Sequence, residues 1–132
     1  MILTLCGSTR FKDAYEQLNK ALTLRGDVVF SVGYFARSTK EPFESIATKE
    51  QIAVLDKVHR KKIDLSDGIV IVNVNGYTGE RTDSEIEYAL AHEKKIFWSY
   101  RAIPPNWYWL VTANKCEWLP ATIIDAESSE KP

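Results

Sequence analysis

The sequence is poor in cysteine and has no excess of charge of either sign. Its 132 residues include two cysteines, Cys6 and Cys116, which are too few for a disulfide framework or for a four-cysteine zinc site. The 17 basic and 18 acidic residues give a formal net charge of −1, which argues against a basic groove for a nucleic-acid polymer. Because His59, His92 and the acidic residues also lack metal-ligand spacing, we expect no metal site.

Long hydrophobic runs and targeting signals are missing as well. No run approaches the roughly 20 apolar residues that span a bilayer, so no membrane partner is expected. The chain begins with a strand-like apolar run rather than with a basic segment and a cleavage site, which favours an intracellular, cytoplasmic protein. The length suits a single domain, expected over residues 1–126, with a frayed tail at 127–132.

Short apolar runs alternate with helical stripes along the chain. The apolar runs predict strands at 2–6, 28–32, 69–74 and 96–100, and a final strand is expected around Ala121–Ile124. Apolar residues at steps of three and four predict three helices, with stripes at Phe11–Leu22, Ile52–Leu65 and Ile86–Leu90. A long loop is expected between Gly33 and about Lys49. This alternation predicts an α/β fold with a parallel sheet covered by helices on both faces.

Ligands bind folds of this class at the carboxyl ends of the strands, and the turn after the first strand is one candidate site. The residues Gly7, Ser8, Thr9 and Arg10 followed by Phe11 offer backbone N–H groups, hydroxyls and a guanidinium to an anion. The turn lacks the ending of a P-loop and the further glycines of a dinucleotide fingerprint. The alternative is that Ser8 or Thr9 only caps the helix.

Three aromatic residues, Tyr34, Phe35 and Tyr77, also fall at predicted strand ends. Their rings could stack on a nucleobase, or they could pack on the edge of the core.

The loop from Asn73 into the third helix is the second candidate. Its glycines, Gly76 and Gly79, allow a close backbone approach to a ligand. Three carboxylates follow within six residues, and a carboxylate placed there can attack an electron-poor sugar carbon. They are Glu80, Asp83 and Glu85. The alternative, which the sequence by itself favours, is a capping box in which Glu85 folds back on Thr82. His59, on the preceding helix among basic neighbours, is more typical of a surface residue than of a catalyst.

Two of these motifs resemble the nucleoside 2-deoxyribosyltransferase superfamily, in particular its small bacterial and phage members. They are Leu5–Arg10, and Asp67–Val72 followed by Gly76–Glu80 and Ser84–Ala89. The resemblance implies a flavodoxin- or Rossmann-like sheet of about five strands. It implies cleavage of the N-glycosidic bond of a nucleoside or nucleoside 5′-monophosphate without metal or organic cofactor, as in the 2′-deoxynucleoside 5′-phosphate N-hydrolases. It also implies a bacterial cytoplasm, or the host cytoplasm if the chain is phage-encoded.

The resemblance assigns roles to individual residues. Glu85 with Ala89 and Leu90 matches the family's Glu-x-x-x-Ala-Leu pattern, which makes Glu85 the nucleophile that holds the sugar as an ester. The acceptor is then another base or water. The residues Gly7, Ser8 and Arg10 match the turn that holds a 5′-phosphate. Two positions depart from the family, because Gly79 stands where it often has an acid or polar residue and His59 stands about where it often has an aspartate. Glu80, Asp83 and His59 are therefore the candidates for the acid that assists the leaving base.

Two readings from other classes stay open. A non-catalytic nucleotide-binding module could use the same crevice, and a small interaction protein could dock through the tryptophan-rich last third. The resemblance also implies a homodimer or higher homo-oligomer. The aromatic load of that last third independently favours one, because a small core has limited room for such rings. Those residues are Trp98, Tyr100, Trp107, Tyr108, Trp109 and Trp118.

Overall fold

The computed structural model describes residues 1–33, 35 and 48–123, which form one parallel five-stranded sheet with helices on both faces. The strands are β1 (Ile2–Gly7), β2 (Val28–Phe30), β3 (Gly68–Val72), β4 (Lys95–Trp98) and β5 (Glu117–Trp118). The helices are α1 (Lys12–Leu24), α2 (Lys49–Asp64), α3 (Glu80–Ala91) and α4 (Tyr108–Thr112), with short 3₁₀ turns at Val74–Gly76 and Pro105–Trp107. The strand order β2-β1-β3-β4-β5 is that of flavodoxin-like sheets, so the predicted fold class is confirmed.

Alternation along the two central strands divides the core into two halves. Leu3 and Leu5 of β1 pack beneath α1 together with Val70 and Val72 of β3. Cys6 of β1 lies in the other half, with Ile69 and Ile71 of β3 and with residues of α2 and α3. Successive side chains of a strand point to opposite faces of the sheet, so Cys6 lies under α2 and α3 rather than under α1.

Several element boundaries differ from the sequence-based expectations. The final strand is Glu117–Trp118, whereas residues 121–123 form a turn, so the prediction of a strand at Ala121–Ile124 was wrong for its described part. The central strand ends at Val72, two residues earlier than predicted, because Asn73 turns the chain away from the ladder. Ile124, the tail at 127–132, and residues 34 and 36–47 of the predicted loop lie outside the described residues.

The helix α2 begins earlier and presents a different face than predicted. Thr48 and Gln51 form a capping box, in which each side chain accepts a hydrogen bond from the other residue's backbone N–H. Val58, placed by the stripe on the apolar face, is 46% exposed, and Leu65 is 57% exposed. The buried position on this turn belongs to His59, so the expectation of a surface histidine was wrong.

Three of the six large aromatic rings near the end of the chain are buried by the chain itself. Trp98, Tyr100 and Trp107 are buried, whereas Tyr108 and Trp109 remain about half exposed. No helix in the described part of the chain is long and apolar enough to cross a membrane.

We predict that the exposed rings Tyr108 and Trp109 lie in a contact between copies of the chain. Light scattering at micromolar concentration should then give a species of at least twice the 15.1 kDa chain mass. The double substitution of Tyr108 and Trp109 by serine should shift the protein toward the single chain. A clean 15.1 kDa species for the unaltered protein would contradict the prediction.

Candidate active site

A histidine and a glutamate meet between α2 and α3. His59 Nε2 lies 2.8 Å from Glu85 Oε2, and the two side chains are 10% and 21% exposed. His59 comes from the third turn of α2, and Glu85 comes from the second turn of α3. A carboxylate 2.8 Å from an imidazole nitrogen is held in one orientation, and its partial exposure leaves it accessible from solvent.

The thiol of Cys6 completes this cluster from the sheet below. Its Sγ lies 3.4 Å from the same Nε2 atom of His59. Burial raises the pKa of the Cys6 thiol well above its usual range, and the charge of Glu85 raises it further. The thiol is therefore kept protonated. It is a poor nucleophile in this environment.

Tyr15 of α1 joins the neighbourhood from the other face of β1. Its hydroxyl donates a 2.8 Å hydrogen bond to the carbonyl of Gly7. Burial raises the pKa of the Tyr15 phenol well above its usual range, with smaller contributions from Cys6 and Glu85. A Cβ atom at Gly7 would lie 2.9 Å from Val72 and 3.3 Å from the Tyr15 hydroxyl, so this position has room only for glycine.

The capping box expected at the start of α3 is not formed. The helix begins at Glu80 after an N-terminal cap at Gly79, so Thr82 lies inside the first turn and is buried. The prediction of a Thr82–Glu85 box was therefore wrong, because the N-terminal cap is Gly79, three residues before Thr82. Glu85 is free of that role, and it contacts His59 instead.

The three candidate acids occupy different environments. Asp83 accepts hydrogen bonds from the Thr78 hydroxyl at 2.8 Å and from the Trp107 indole N–H at 2.7 Å. Glu80 is exposed on the first turn of α3. Of the three candidates, His59 is the one that the structure brings into contact with Glu85.

The turn after β1 and the loop after β3 touch each other at their tips. The Arg10 guanidinium lies 4.5 Å from the centre of the Tyr77 ring, and Phe11 packs edge-on against the same ring. Ser8 Oγ accepts hydrogen bonds from the backbone N–H and the Nε of Arg10, at 3.3 and 3.1 Å. The cap position of α1 is Phe11, which makes no side-chain cap, so Ser8 orients Arg10 rather than capping the helix.

An open cleft of about 380 Å³ lies beside this turn. It is lined by Arg10–Ala14, Gln17, Val74 and Tyr100. It lies over the start of α1, and His59 and Glu85 are not among its walls. The cleft lies on the face of the sheet that α1 covers, whereas the pair lies on the face that α2 and α3 cover.

The remaining residues that were predicted to contact a substrate lie in different environments. The Asn73 amide donates to the carbonyls of Tyr100 and Ala102, and it accepts from the backbone N–H groups of residues 99 and 100. Its hydrogen-bonding capacity is thus used within the protein. Phe35 packs edge-on against Tyr15, and Tyr34 lies outside the described residues.

The glycines of the loop after β3 shape its backbone. Gly76 has a positive φ of 74°, and a Cβ there would lie 3.3 Å from that of Ala102. A Cβ atom added at Gly79 would lie 3.2 Å from the hydroxyl oxygen of Tyr77. Thr9 lies in the turn between β1 and α1, where it is partly buried.

A five-stranded parallel sheet with a histidine–carboxylate pair near the carboxyl end of a central strand defines a flavodoxin-like α/β protein with a candidate active site. The same fold occurs in the solved structure of the Clostridium botulinum CMP N-glycosidase BcmB, with a TM-score of 0.58 and 18% sequence identity. The match covers 90% of this chain and 87% of that chain. No protein-family model matches the chain, and no curated protein does. The likeness establishes a common fold, the one that the sequence resemblance implied.

We predict that Asp83 has a structural role, because it ties α3 to the segment around Trp107. Replacement of Asp83 by alanine leaves the indole N–H of Trp107 without its partner, which costs about 1–3 kcal/mol of unfolding free energy. Urea unfolding followed by tryptophan fluorescence measures this loss. Glu87→Ala, exposed on the same helix, is the matched control and should change stability by less than about 0.5 kcal/mol. An Asp83→Ala protein as stable as the unaltered one would contradict the assignment.

Proposed function

We propose that the chain cleaves the N-glycosidic bond of a nucleoside or nucleoside 5′-monophosphate, with Glu85 as the nucleophile. The observation that carries the proposal is the 2.8 Å contact between His59 Nε2 and Glu85 Oε2. The Glu-x-x-x-Ala-Leu pattern and the fold shared with a CMP N-glycosidase support it.

The proposed chemistry uses both members of this pair. An oxygen of Glu85 attacks C1′ while the bond from C1′ to the base breaks, and the electron pair of that bond leaves with the base. The ester on Glu85 is then cleaved by water or by a second base. Hydrogen bonding from Nε2 to Oε2 fixes the carboxylate before the reaction, which lowers the cost of orienting it.

His59 is also the proposed source of the proton that the base needs on departure. As an imidazolium it would hold Glu85 by charge and hydrogen bond together, and it would release its proton as the base leaves. Asp83 is engaged by Thr78 and Trp107, which makes it a weaker candidate for this proton transfer.

The proposed contact for a 5′-phosphate is Arg10 in the turn after β1. Because the contact with Ser8 uses only Nε of the Arg10 side chain, the terminal nitrogens remain to pair with phosphate oxygens. The Tyr77 ring beneath the guanidinium keeps this group at the edge of the loop.

The activity is tested by incubating the protein with nucleosides and their 5′-monophosphates, CMP first, followed by chromatography of the products. Each reaction is run with and without a second free base. Free base released in water indicates a hydrolase, and exchange that requires the second base indicates a transferase. Ligand-dependent thermal stabilisation without turnover would instead support a non-catalytic binding module.

We predict that Glu85→Gln abolishes turnover and leaves the fold intact, because the amide keeps the size of the side chain but cannot attack C1′. His59→Gln should lower kcat by about 10²–10⁴-fold, because the variant has no imidazolium proton to give to the leaving base. Glu87→Gln, two residues along α3 and exposed, is the matched control and should react at the unaltered rate. A Glu85→Gln protein with the unaltered rate would refute the nucleophile assignment.

We further predict that Arg10→Ala weakens binding of a 5′-monophosphate more than binding of the matching nucleoside. Loss of a charge-assisted hydrogen bond costs about 1.5–3 kcal/mol, which corresponds to roughly ten- to a hundredfold in Kd. Calorimetry on both ligands measures the difference, with Lys20→Ala, exposed on α1 and outside the cleft, as the charge control. Equal losses for the two ligands would show that Arg10 acts on the structure rather than on the phosphate.

A further inference from the structure

The cluster at the sheet edge offers three different metal-binding atoms. Cys6 Sγ, a nitrogen of His59 and an oxygen of Glu85 all lie within 4.8 Å of one another. The distance from Cys6 Sγ to His59 Nε2 is 3.4 Å, and the distance from His59 Nε2 to Glu85 Oε2 is 2.8 Å. In a tetrahedral zinc site with bonds of about 2.0–2.3 Å, neighbouring ligand atoms lie roughly 3.2–3.7 Å apart. The distances between these atoms thus need to change by at most about 1.5 Å for the three to surround an ion.

The donor types select the kind of cation. Sulfur, imidazole nitrogen and carboxylate oxygen are the ligands of zinc in proteins, and a thiolate disfavours magnesium and calcium. Three protein ligands leave a fourth position for water. Cys6 and His59 are buried, and the partly exposed Glu85 provides the approach from solvent.

The three ligands stand on elements with regular backbone, which fixes their spacing. Cys6 is on β1, His59 is on α2 and Glu85 is on α3. Within the described part of the chain, these residues form a single group of three or more such ligands. A divalent cation would be neutralised there by one thiolate and one carboxylate.

We propose that Cys6, His59 and Glu85 form a binding site for a thiophilic divalent cation, zinc above all, and that its occupancy blocks the glycosidase reaction. Binding releases the thiol proton and the Nε2 proton of the His59 imidazolium to solvent, and the neutral imidazole keeps its hydrogen on Nδ1. Nε2 of His59 can hold either the metal or the hydrogen of its contact with Glu85, and the Glu85 oxygen bound to the ion cannot attack C1′. The binding stands alone, whereas the block rests on the function proposed above.

Binding is tested without reference to activity, by titrating the purified full chain with Co²⁺ as a spectroscopic substitute for zinc. A thiolate-to-cobalt absorption band should appear at one equivalent, and Zn²⁺ should displace it. Cys6→Ser should remove the band, and Glu85→Gln should weaken Co²⁺ binding at least tenfold. Cys116→Ser is the matched control and should retain the full band, because Cys116 is the other cysteine of the chain.

A band lost with Cys116 rather than with Cys6, or no band at all, would overturn the site. Thermal unfolding of Cys6→Ser and of Cys6→Ala verifies that each variant is folded before its spectrum is read. If Cys6→Ser is unfolded, the Cys6→Ala protein provides the same test.

The block is tested on turnover of the active substrate. Zn²⁺ should inhibit the unaltered enzyme, and Cys6→Ser should raise the inhibitory concentration at least tenfold, since Cys6 has no part in the proposed reaction. Equal inhibition of both proteins would overturn the block. A chain that binds Co²⁺ through Cys6 but turns over no nucleotide retains the metal site and loses the proposed function. A chain that turns over a nucleotide but does not bind Co²⁺ through Cys6 retains the proposed function and loses the metal site.

Discussion

The parallel pairing of β1 with β3 fixes the geometry of everything at the carboxyl edge of the sheet. The two strands pair over five residues each, from Leu3 with Gly68 to Gly7 with Val72. At the last of these pairs a Cβ on Gly7 would lie 2.9 Å from both the Cβ and the carbonyl oxygen of Val72. Such an approach requires glycine, since neither backbone can move without breaking the ladder. The turn with Arg10 and the loop with Tyr77 leave the sheet side by side as a result.

The same pairing sets α2 and α3 next to each other, because one helix enters β3 and the other leaves it. Polar contacts link the two helices at three successive levels. They are Arg81 to Asp56 at 3.5 Å, His59 to Glu85 at 2.8 Å, and Tyr88 to Asp64 at 2.6 Å. The sequence positions rise along both helices from one level to the next, as expected for helices that run in the same direction. The outer contacts are largely solvent-exposed, so water screens them and they contribute little to stability.

The middle contact differs because it is largely removed from water. A pair of apolar side chains of similar volume would stabilise such a position as well or better, since burial of charge costs more than a single contact returns. Stability alone therefore does not explain why the chain has an imidazole, a carboxylate and a thiol there. Chemistry on a ligand, or binding of an ion, gives each of these groups a use.

Much of the fold follows from patterns that the sequence displays, and the exceptions have physical causes. The strand–helix alternation and the stripe Tyr15, Leu18 and Leu22 suffice for the sheet and for α1. The inward face of α2 was mispredicted because hydrophobicity favoured Val58. Spacing alone would have found His59, which lies four residues from both Leu55 and Ile63. The start of α3 was mispredicted because Thr82 is a good capping residue, whereas the chain uses the extended backbone of Gly79.

The grouping of Cys6 with His59 and Glu85 could not be predicted from spacing, since 53 and 79 residues separate the cysteine from its two neighbours. It depends on strand order and on the side of the sheet that each helix covers, which are properties of the assembled fold. One local signal was available: the alternation of Leu3, Cys6 and their neighbours puts Cys6 opposite the α1 face. With β1 next to β3 and right-handed crossovers on both sides of β3, a residue at that position has to lie under α2 and α3. The cluster of Cys6, His59 and Glu85 thus results from the strand order and the helix placement, which bring together one residue each from β1, α2 and α3.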